Sequence, residues 1–206
     1  MGCCNAHYLD RKKRMYINEC YVGECLVKLV CGDIREESVQ AIVCPATANL
    51  KPASGLASGI LKRAGKSIEE EVRDSGREVL PIGEVRESNA GGLKCKKILH
   101  LVMPVYCDGN QGENTMLRVG FENVLKIADR DALMSIALPV VPSGAFSFPT
   151  EEWANVLFLT LQNLNNTNIR EIRVVNDDIF VMKAFELFMI RYLSQKTENK
   201  PTAISH

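Results

Sequence analysis

The sequence has no excess of either charge, because its 25 Lys and Arg residues balance its 25 Asp and Glu residues. Proteins that bind nucleic acid usually carry a strongly basic surface, so we expect no nucleic-acid partner. The sequence also lacks an apolar run long enough to cross a bilayer and an apolar stretch near its start that would mark a signal peptide. These absences predict a protein of the cytoplasm, the nucleus or both.

The sequence also has no paired metal-binding motif. It contains 8 Cys and 3 His, but no two cysteines are spaced as in a CxxC pair. Cys20, Cys25 and Cys31 are irregularly spaced and have no matching His cluster, so buried thiols are favoured over a zinc site. Without a secretory signal, we expect these thiols to be reduced. We therefore predict no metal and no cofactor.

An alternation of strand-like and helix-like segments runs through the chain. Short apolar runs, such as 39–43 and 135–141, lead into loops of small residues that are followed by helical patterns. This order predicts an α/β fold, a three-layer α/β/α sandwich around a central mixed, largely parallel sheet. We expect a flexible N-terminal arm over 1–20, one globular domain over 21–195 and a polar tail over 196–206.

Residues 32–65 are predicted to hold the functional site. An apolar run ends at Gly32-Asp33-Ile34, a buried strand follows, and a loop of small residues leads into a helix that begins near Gly55. The free N–H groups and the dipole of a helix start favour an anion, so this junction suits a phosphate or diphosphate.

A second loop of small residues, 142–149, follows the buried strand 135–141. Ligands of parallel α/β sheets lie at the carboxyl ends of the strands. Because both loops follow strands, we expect them to line one cleft.

Five ordered motifs resemble those of a known family. The segments 32–34, 39–60, 81–85, 98–106 and 137–149 are similar to GDI, VDAIVNAANxxLxxGGGVxxAI, PTGEA, YVIHTVGPVW and AFPAISTGIFGFP. These are the motifs of the macrodomains, which bind ADP-ribose. The segment 176–185 is most similar to macrodomains attached to ADP-ribosyltransferases. The resemblance implies a macrodomain over 21–195, with ADP-ribose or ADP-ribosylated proteins as partners.

The resemblance also implies roles for individual residues. The carboxylate of Asp33 would accept a hydrogen bond from the adenine amino group, and Phe146 would pack on the distal ribose. The residues expected to bind the ligand are Asp33, Ile34, Thr47, Ser54, Gly55, Leu56, Ser143, Gly144, Ala145, Phe146 and Asn176.

Departures from the motifs bear on activity. This chain has CPAT at 44–47 and ASGL at 53–56, where the family has NAAN and GGGV. In hydrolytic macrodomains the second Asn orients the distal ribose, and an Asp after GGGV helps to activate water. Thr47 and Ala57 stand at these positions. Thr lacks the paired donor and acceptor of an amide and Ala is no base, so we predict no catalytic residue.

Three functions stay open at this point. The first is a binding module that reads ADP-ribose, free or protein-linked, and is favoured by Asp33 and Phe146. The second is a pseudo-macrodomain that has lost the nucleotide and acts as a protein-interaction scaffold, which the altered loops favour. The third is an ADP-ribosyl hydrolase with a non-standard site. We favour the first, as a monomer and without enzymatic activity.

The start of the chain leaves a membrane anchor open. Gly2, Cys3 and Cys4 precede the basic cluster 11–14, which is the arrangement of an acylated anchor. Ala6 stands where that pattern has Ser or Thr. A membrane partner is therefore expected only if these residues are acylated.

Overall fold

The computed structural model describes residues 14–52, 54–75, 78–164 and 167–198, with side chains as far as residue 195. The strands in these ranges are β1 (Met15–Val22), β2 (Cys25–Cys31), β3 (Ala41–Ala46), β4 (Val85–Asn89), β5 (Lys97–Val102), β6 (Ser135–Pro139) and β7 (Glu171–Asn176). The helices are α1 (Gly55–Ala64), α2 (Lys66–Ser75), α3 (Glu113–Arg130), α4 (Thr150–Gln162) and α5 (Ile179–Glu198), with a short 3-10 helix over Ile34–Glu36. None of these helices is long and apolar enough to cross a membrane.

The seven strands form one mixed sheet in the order β1-β2-β7-β6-β3-β5-β4. The five central strands are parallel to one another, and β1 and β4 are antiparallel edge strands. Every residue of β3 is buried, as expected of a parallel strand that is covered on both faces. The predicted mixed, largely parallel sheet is confirmed.

Helices cover both faces of the sheet. Along β3, Ile42 and Cys44 pack with the residues of α1 and α2, whereas Val43 packs with those of α3, α4 and α5. Trp153 of α4 is 1% exposed and makes edge contacts with Phe121 and Phe185, at ring-centroid distances of 5.0 and 5.7 Å. Burial of each large apolar side chain contributes about 1.5–3 kcal/mol. The result is the predicted three-layer sandwich.

The first strand differs from the expectation of a flexible arm over 1–20. β1 pairs with β2 through a turn at Gly23, which has a φ of 62°. β1 is an edge strand in which Met15, Tyr16 and Tyr21 are exposed, so its apolar pattern is weak. Residues 15–20 therefore belong to the sheet.

The two ends of the chain are described only in part. Residues 1–13, with the proposed acylation sites Gly2, Cys3 and Cys4, lie outside the described residues. At the other end, α5 continues to Glu198, into the range that was expected to be a polar tail, and 199–206 lie outside the described residues.

Glu37 holds the segment after β2 against the sheet. Its buried carboxylate accepts hydrogen bonds from Nε of Arg14 and from Nη1 of Arg173 on β7, both at 2.7 Å. Burial acts to raise the pKa of Glu37, but the two guanidinium groups outweigh it and the pKa is lowered. Glu37 therefore stays ionised and fixes the position of the 3-10 helix beside the ends of β2 and β7.

The close approach of the β4–β5 turn to α1 gives a test of the fold. Gly91 has a φ of +54°, and a Cβ there would lie 1.9 Å from the carbonyl oxygen of Ala64. Gly112 has a φ of +83°, but a Cβ there would have no neighbour within 4 Å. Both Ala substitutions carry left-handed strain of about 1–2 kcal/mol, and only Gly91→Ala adds a backbone collision.

We expect Gly91→Ala to lower the free energy of unfolding by about 2–4 kcal/mol more than Gly112→Ala. Urea unfolding of the two variants beside the unchanged protein measures this difference. Equal losses would show that the turn does not contact α1 in this way.

Candidate functional site

A cleft of about 390 Å³ lies where β2, β7 and β6 end and α1 begins. It is lined by residues 32–35, 54–56, 139–144 and 175–177, together with Phe146. Its volume falls within the range of about 300–1,000 Å³ that is usual for small-molecule sites. Parallel strands place these segments at one edge of the sheet, so the two small-residue loops do line one cleft.

Most of the residues predicted to bind the ligand lie at this cleft. They are Asp33, Ile34, Ser54, Gly55, Leu56, Ser143, Gly144, Phe146 and Asn176. Two do not line it. Ala145 is exposed in the second loop, and Thr47 lies in a separate depression with Asn49 and Pro52.

The side chain of Thr47 points into the loop to which it belongs. Its hydroxyl lies 2.8 Å from Oδ1 of Asn49 and 2.9 Å from the carbonyl oxygen of Lys51. The structure therefore places the Thr47 hydroxyl in the turn that leads to α1, and not among the groups that face the cleft.

The start of α1 presents backbone N–H groups to the cleft. Ser54 caps the helix by accepting from the N–H of Ala57 at 3.2 Å. The N–H groups of Gly55 and Leu56 precede the first intrahelical bond, which runs from Ser58 to Ser54, so they have no partner within the helix. Both residues line the cleft. The helix dipole and these donors favour an anion at this position.

Gly55 has no structural reason within the protein to be glycine. It is absent from the positive-φ residues, and a Cβ at this position would meet nothing within 4 Å. Glycine in the first turn of a helix costs stability relative to alanine. The missing side chain leaves open space above the helix start, and so lets a ligand approach the backbone.

The second loop has two residues, Gly144 and Ser147, in the left-handed backbone region that favours glycine. Gly144 has a φ of 79°. Ser147, which replaces a glycine of the family motif, has a φ of 47°, and its hydroxyl donates to the carbonyl oxygen of Gly144 at 2.7 Å. Phe146 is buried beneath the loop at 2% exposure, while its neighbours Ser143 and Gly144 are exposed. The loop thus lies open above an aromatic floor.

The Asp33 carboxylate caps the short 3-10 helix and is paired with its neighbour Arg35. Nε of Arg35 donates to Oδ1 and Oδ2 of Asp33 at 2.8 and 2.9 Å, and Nη2 donates to Oδ2 at 2.5 Å. Partial burial acts to raise the pKa of Asp33, but the hydrogen bonds from Arg35 outweigh it and the pKa is lowered. The carboxylate is therefore ionised, partly exposed and paired with a guanidinium group.

Arg35 also touches the helix on the opposite wall. A Cβ at Gly59 of α1 would lie 2.8 Å from Nη1 of Arg35, so the guanidinium group lies across this glycine. The sequence signal for Arg35 was its position two residues after Asp33. Such a contact between segments is visible only once the fold is known.

Asn176 joins the ends of two strands. Its Nδ2 donates to the carbonyl oxygen of Val140 at 2.8 Å, and its Oδ1 accepts from the N–H of Asp178 at 2.8 Å. The amide therefore joins the ends of β6 and β7 at the wall of the cleft, which Asn176 lines.

Cys44, Ala57 and His100 do not line the cleft. Cys44 is 1% exposed, and burial raises the pKa of its thiol to about 12, so it is a packed thiol and not a nucleophile. Ala57 is also 1% exposed. His100 is buried with Nε2 2.8 Å from Oγ of Ser88, and burial lowers its pKa to about 4. His100 is thus a neutral core residue.

Comparison with known proteins identifies the family to which this α/β/α sandwich belongs. A family model described as the Macro domain matches residues 43–157. A macro domain-containing protein of Caldanaerobacter subterraneus is 31% identical over 169 residues, which span 81% of this chain and 95% of that protein. An uncharacterized protein of Thermotoga maritima is 35% identical over 168 residues, which span 78% of this chain and 28% of that protein. The chain belongs to the macro domain family.

Solved structures agree on the fold. The Oceanobacillus iheyensis macrodomain with ADP has a TM-score of 0.79 at 22% identity and covers 90% of this chain and 100% of that one. The Trypanosoma brucei macrodomain in complex with ADP-ribose has a TM-score of 0.69 at 20% identity and covers 79% of this chain and 68% of that one. At these identities the likeness establishes a macrodomain fold.

The strained Ser147 gives a test of the second loop. Ser147→Gly removes the strain of a left-handed side chain and loses one hydrogen bond, so we expect its stability to match or exceed that of the unchanged protein. Ser147→Ala keeps the strain and loses the bond, so we expect it to lose about 0.5–1.5 kcal/mol. Thermal melting of both variants checks this order. An alanine variant as stable as the glycine variant would contradict the loop geometry.

Proposed function

We propose that this macrodomain binds ADP-ribose, free or attached to proteins, and reads ADP-ribosylation without hydrolysing it. The adenine would lie near Asp33 and Asn176. The diphosphate would lie between the start of α1 and Ser143-Gly144, and the distal ribose would lie over Phe146.

The observation that carries this proposal is the open space at Gly55. Neither the backbone conformation nor the packing of the protein requires glycine there. The space lies directly over the free N–H groups of a helix start, and it faces the open second loop across the cleft. A diphosphate needs this combination of close backbone approach and unpaired donors.

The distribution of titratable groups supports binding over hydrolysis. Among the described lining residues, the ionisable side chains are Asp33, Arg35 and Asp177, which belong to the segments after β2 and β7. The lining residues of the two small-residue loops, 54–56, 139–144 and Phe146, carry none. General acid–base catalysis requires a side chain within hydrogen-bond reach of the reacting atoms. Among the described residues that line the proposed distal-ribose end, none carries an ionisable side chain.

Related structures agree with this ligand. The Oceanobacillus iheyensis macrodomain is described with ADP, and the Trypanosoma brucei macrodomain with ADP-ribose. The sequence similarity to macrodomains attached to ADP-ribosyltransferases adds a finer proposal, that this reader acts beside such an enzyme. The relatives cited above are described only as macro domain-containing or uncharacterized proteins.

The second candidate, a pseudo-macrodomain that acts as a protein-interaction scaffold, is favoured by one observation. The Asp33 carboxylate that would receive the adenine already accepts several hydrogen bonds from Arg35. Arg35 would have to share or release this carboxylate when adenine binds. We retain the reader as the first proposal because the Asp33 side chain remains 30% exposed, so an adenine amino group can reach the carboxylate and compete with Arg35 for it.

Calorimetric titration with ADP-ribose, with ADP and AMP as comparison ligands, tests the proposal. We expect saturable binding of ADP-ribose that is tighter than that of AMP, because only ADP-ribose reaches from Asp33 to Phe146. No detectable heat, together with an unshifted melting temperature at high ligand concentration, would overturn the proposal in favour of the scaffold.

Gly55→Val places a branched side chain in the open space over the helix start. We expect it to weaken ADP-ribose binding about tenfold or more, because the diphosphate loses its close approach to the backbone. Ser67→Val, at an exposed position in the first turn of α2, is the matched control and should leave binding unchanged. If Gly55→Val binds ADP-ribose as tightly as the unchanged protein, the start of α1 is not part of the binding site.

A further inference from the structure

A groove lies on the outer side of the loop that joins β3 to α1. A depression of about 420 Å³ has Leu50, Leu61 and Val72 among its lining residues. A neighbouring depression of about 450 Å³ shares residues 49, 51 and 52 with it and adds Val79, which is 82% exposed. Because they share one wall, the two form a continuous surface, which we call the α1–α2 groove.

The rim of the α1–α2 groove is cationic. Lys51, Lys62 and Arg73 line it and are exposed, and in the described part of the chain none of the three side chains forms an ion pair. Glu69 is the single carboxylate among the described lining residues. Three cations against one anion give the described lining of the groove a positive net charge, which complements an acidic ligand, and the apolar floor accepts an apolar side chain.

The floor of the groove is held in a strained conformation. Leu50 has a φ of 55°, in the left-handed region that a leucine rarely adopts, and its side chain is buried at 4% exposure. Its N–H donates to the carbonyl oxygen of Thr47 at 2.8 Å. Such a conformation persists only where the surroundings over-determine it. The surrounding residues therefore fix the loop conformation that forms the floor of the groove.

The α1–α2 groove lies next to the cleft. Within one loop, Ser54 lines the cleft and residues 49–52 line the α1–α2 groove. In the order of the sheet, the cleft extends from the end of β2 towards β3, and the groove begins at the loop after β3. A chain attached to a ligand at the β3 side of the cleft would therefore have the groove beside it.

We propose that the α1–α2 groove binds an acidic segment of the protein that carries the ADP-ribose, with one apolar side chain seated over Leu50, Leu61 and Val72. Two adjoining depressions suit an extended segment better than one compact molecule. This inference rests on the proposed function for the attachment of the segment to ADP-ribose. It gives the domain a preference for modified proteins over the free nucleotide.

Charge reversal at Lys62 tests the proposal. The probes are free ADP-ribose, a short Glu-rich peptide with one central Leu, and the same peptide ADP-ribosylated on a Glu. We expect Lys62→Glu to weaken both peptides about five- to tenfold at low salt and to leave free ADP-ribose unchanged. Lys126→Glu, an exposed reversal on α3 across the sheet, should leave all three affinities unchanged.

The outcomes distinguish the proposed acidic-segment site from the proposed binding of ADP-ribose. If the unchanged protein and Lys62→Glu bind the peptides with equal affinity, the proposal that the α1–α2 groove binds an acidic segment is wrong. The same holds if the ADP-ribosylated peptide binds no more tightly than free ADP-ribose. Binding of the unmodified peptide that depends on Lys62, without any binding of ADP-ribose, would keep the acidic-segment site and overturn its link to ADP-ribosylation.

Discussion

The parallel pairing of β2, β7, β6 and β3 is the constraint on which the candidate site depends. Gly32 donates to the carbonyl oxygen of Asn176 at 2.9 Å, and Val140 donates to that of Val175 at 3.1 Å. These backbone bonds extend the ladders past the strands, and the Asn176 side chain closes the gap to Val140. Segments that are distant in the sequence therefore leave the sheet at one edge, where they enclose the cleft.

The two ends of the cleft are built from different chemistry. One end has ionisable side chains, Asp33 paired with Arg35, whereas the other has backbone donors at Gly55 and the exposed backbone around Gly144. A site made of fixed backbone donors binds an anion without a proton-transfer group. This arrangement is consistent with the proposed recognition of ADP-ribose.

The sequence predicted the central fold well because buried parallel strands are short continuous apolar runs. The apolar runs 39–43 and 135–141 overlap β3 and β6. β1 was not predicted as a strand because Tyr16 and Tyr21 of this edge strand face solvent, so the strand lacks a clear apolar pattern. The motifs located most cleft residues, but the direction of Thr47 and the pairing of Arg35 with Asp33 depend on loop geometry, which no local pattern encodes.

Amide chemical shifts of the isotope-labelled protein, recorded during titration with ADP-ribose, test the central claim most directly. The account predicts that the largest saturable changes occur at Gly55, Leu56, Ser143 and Gly144, because their N–H groups lie around the proposed diphosphate position. A folded protein in which these four amides remain unshifted at saturating ligand would contradict the claim that the two small-residue loops form the binding site.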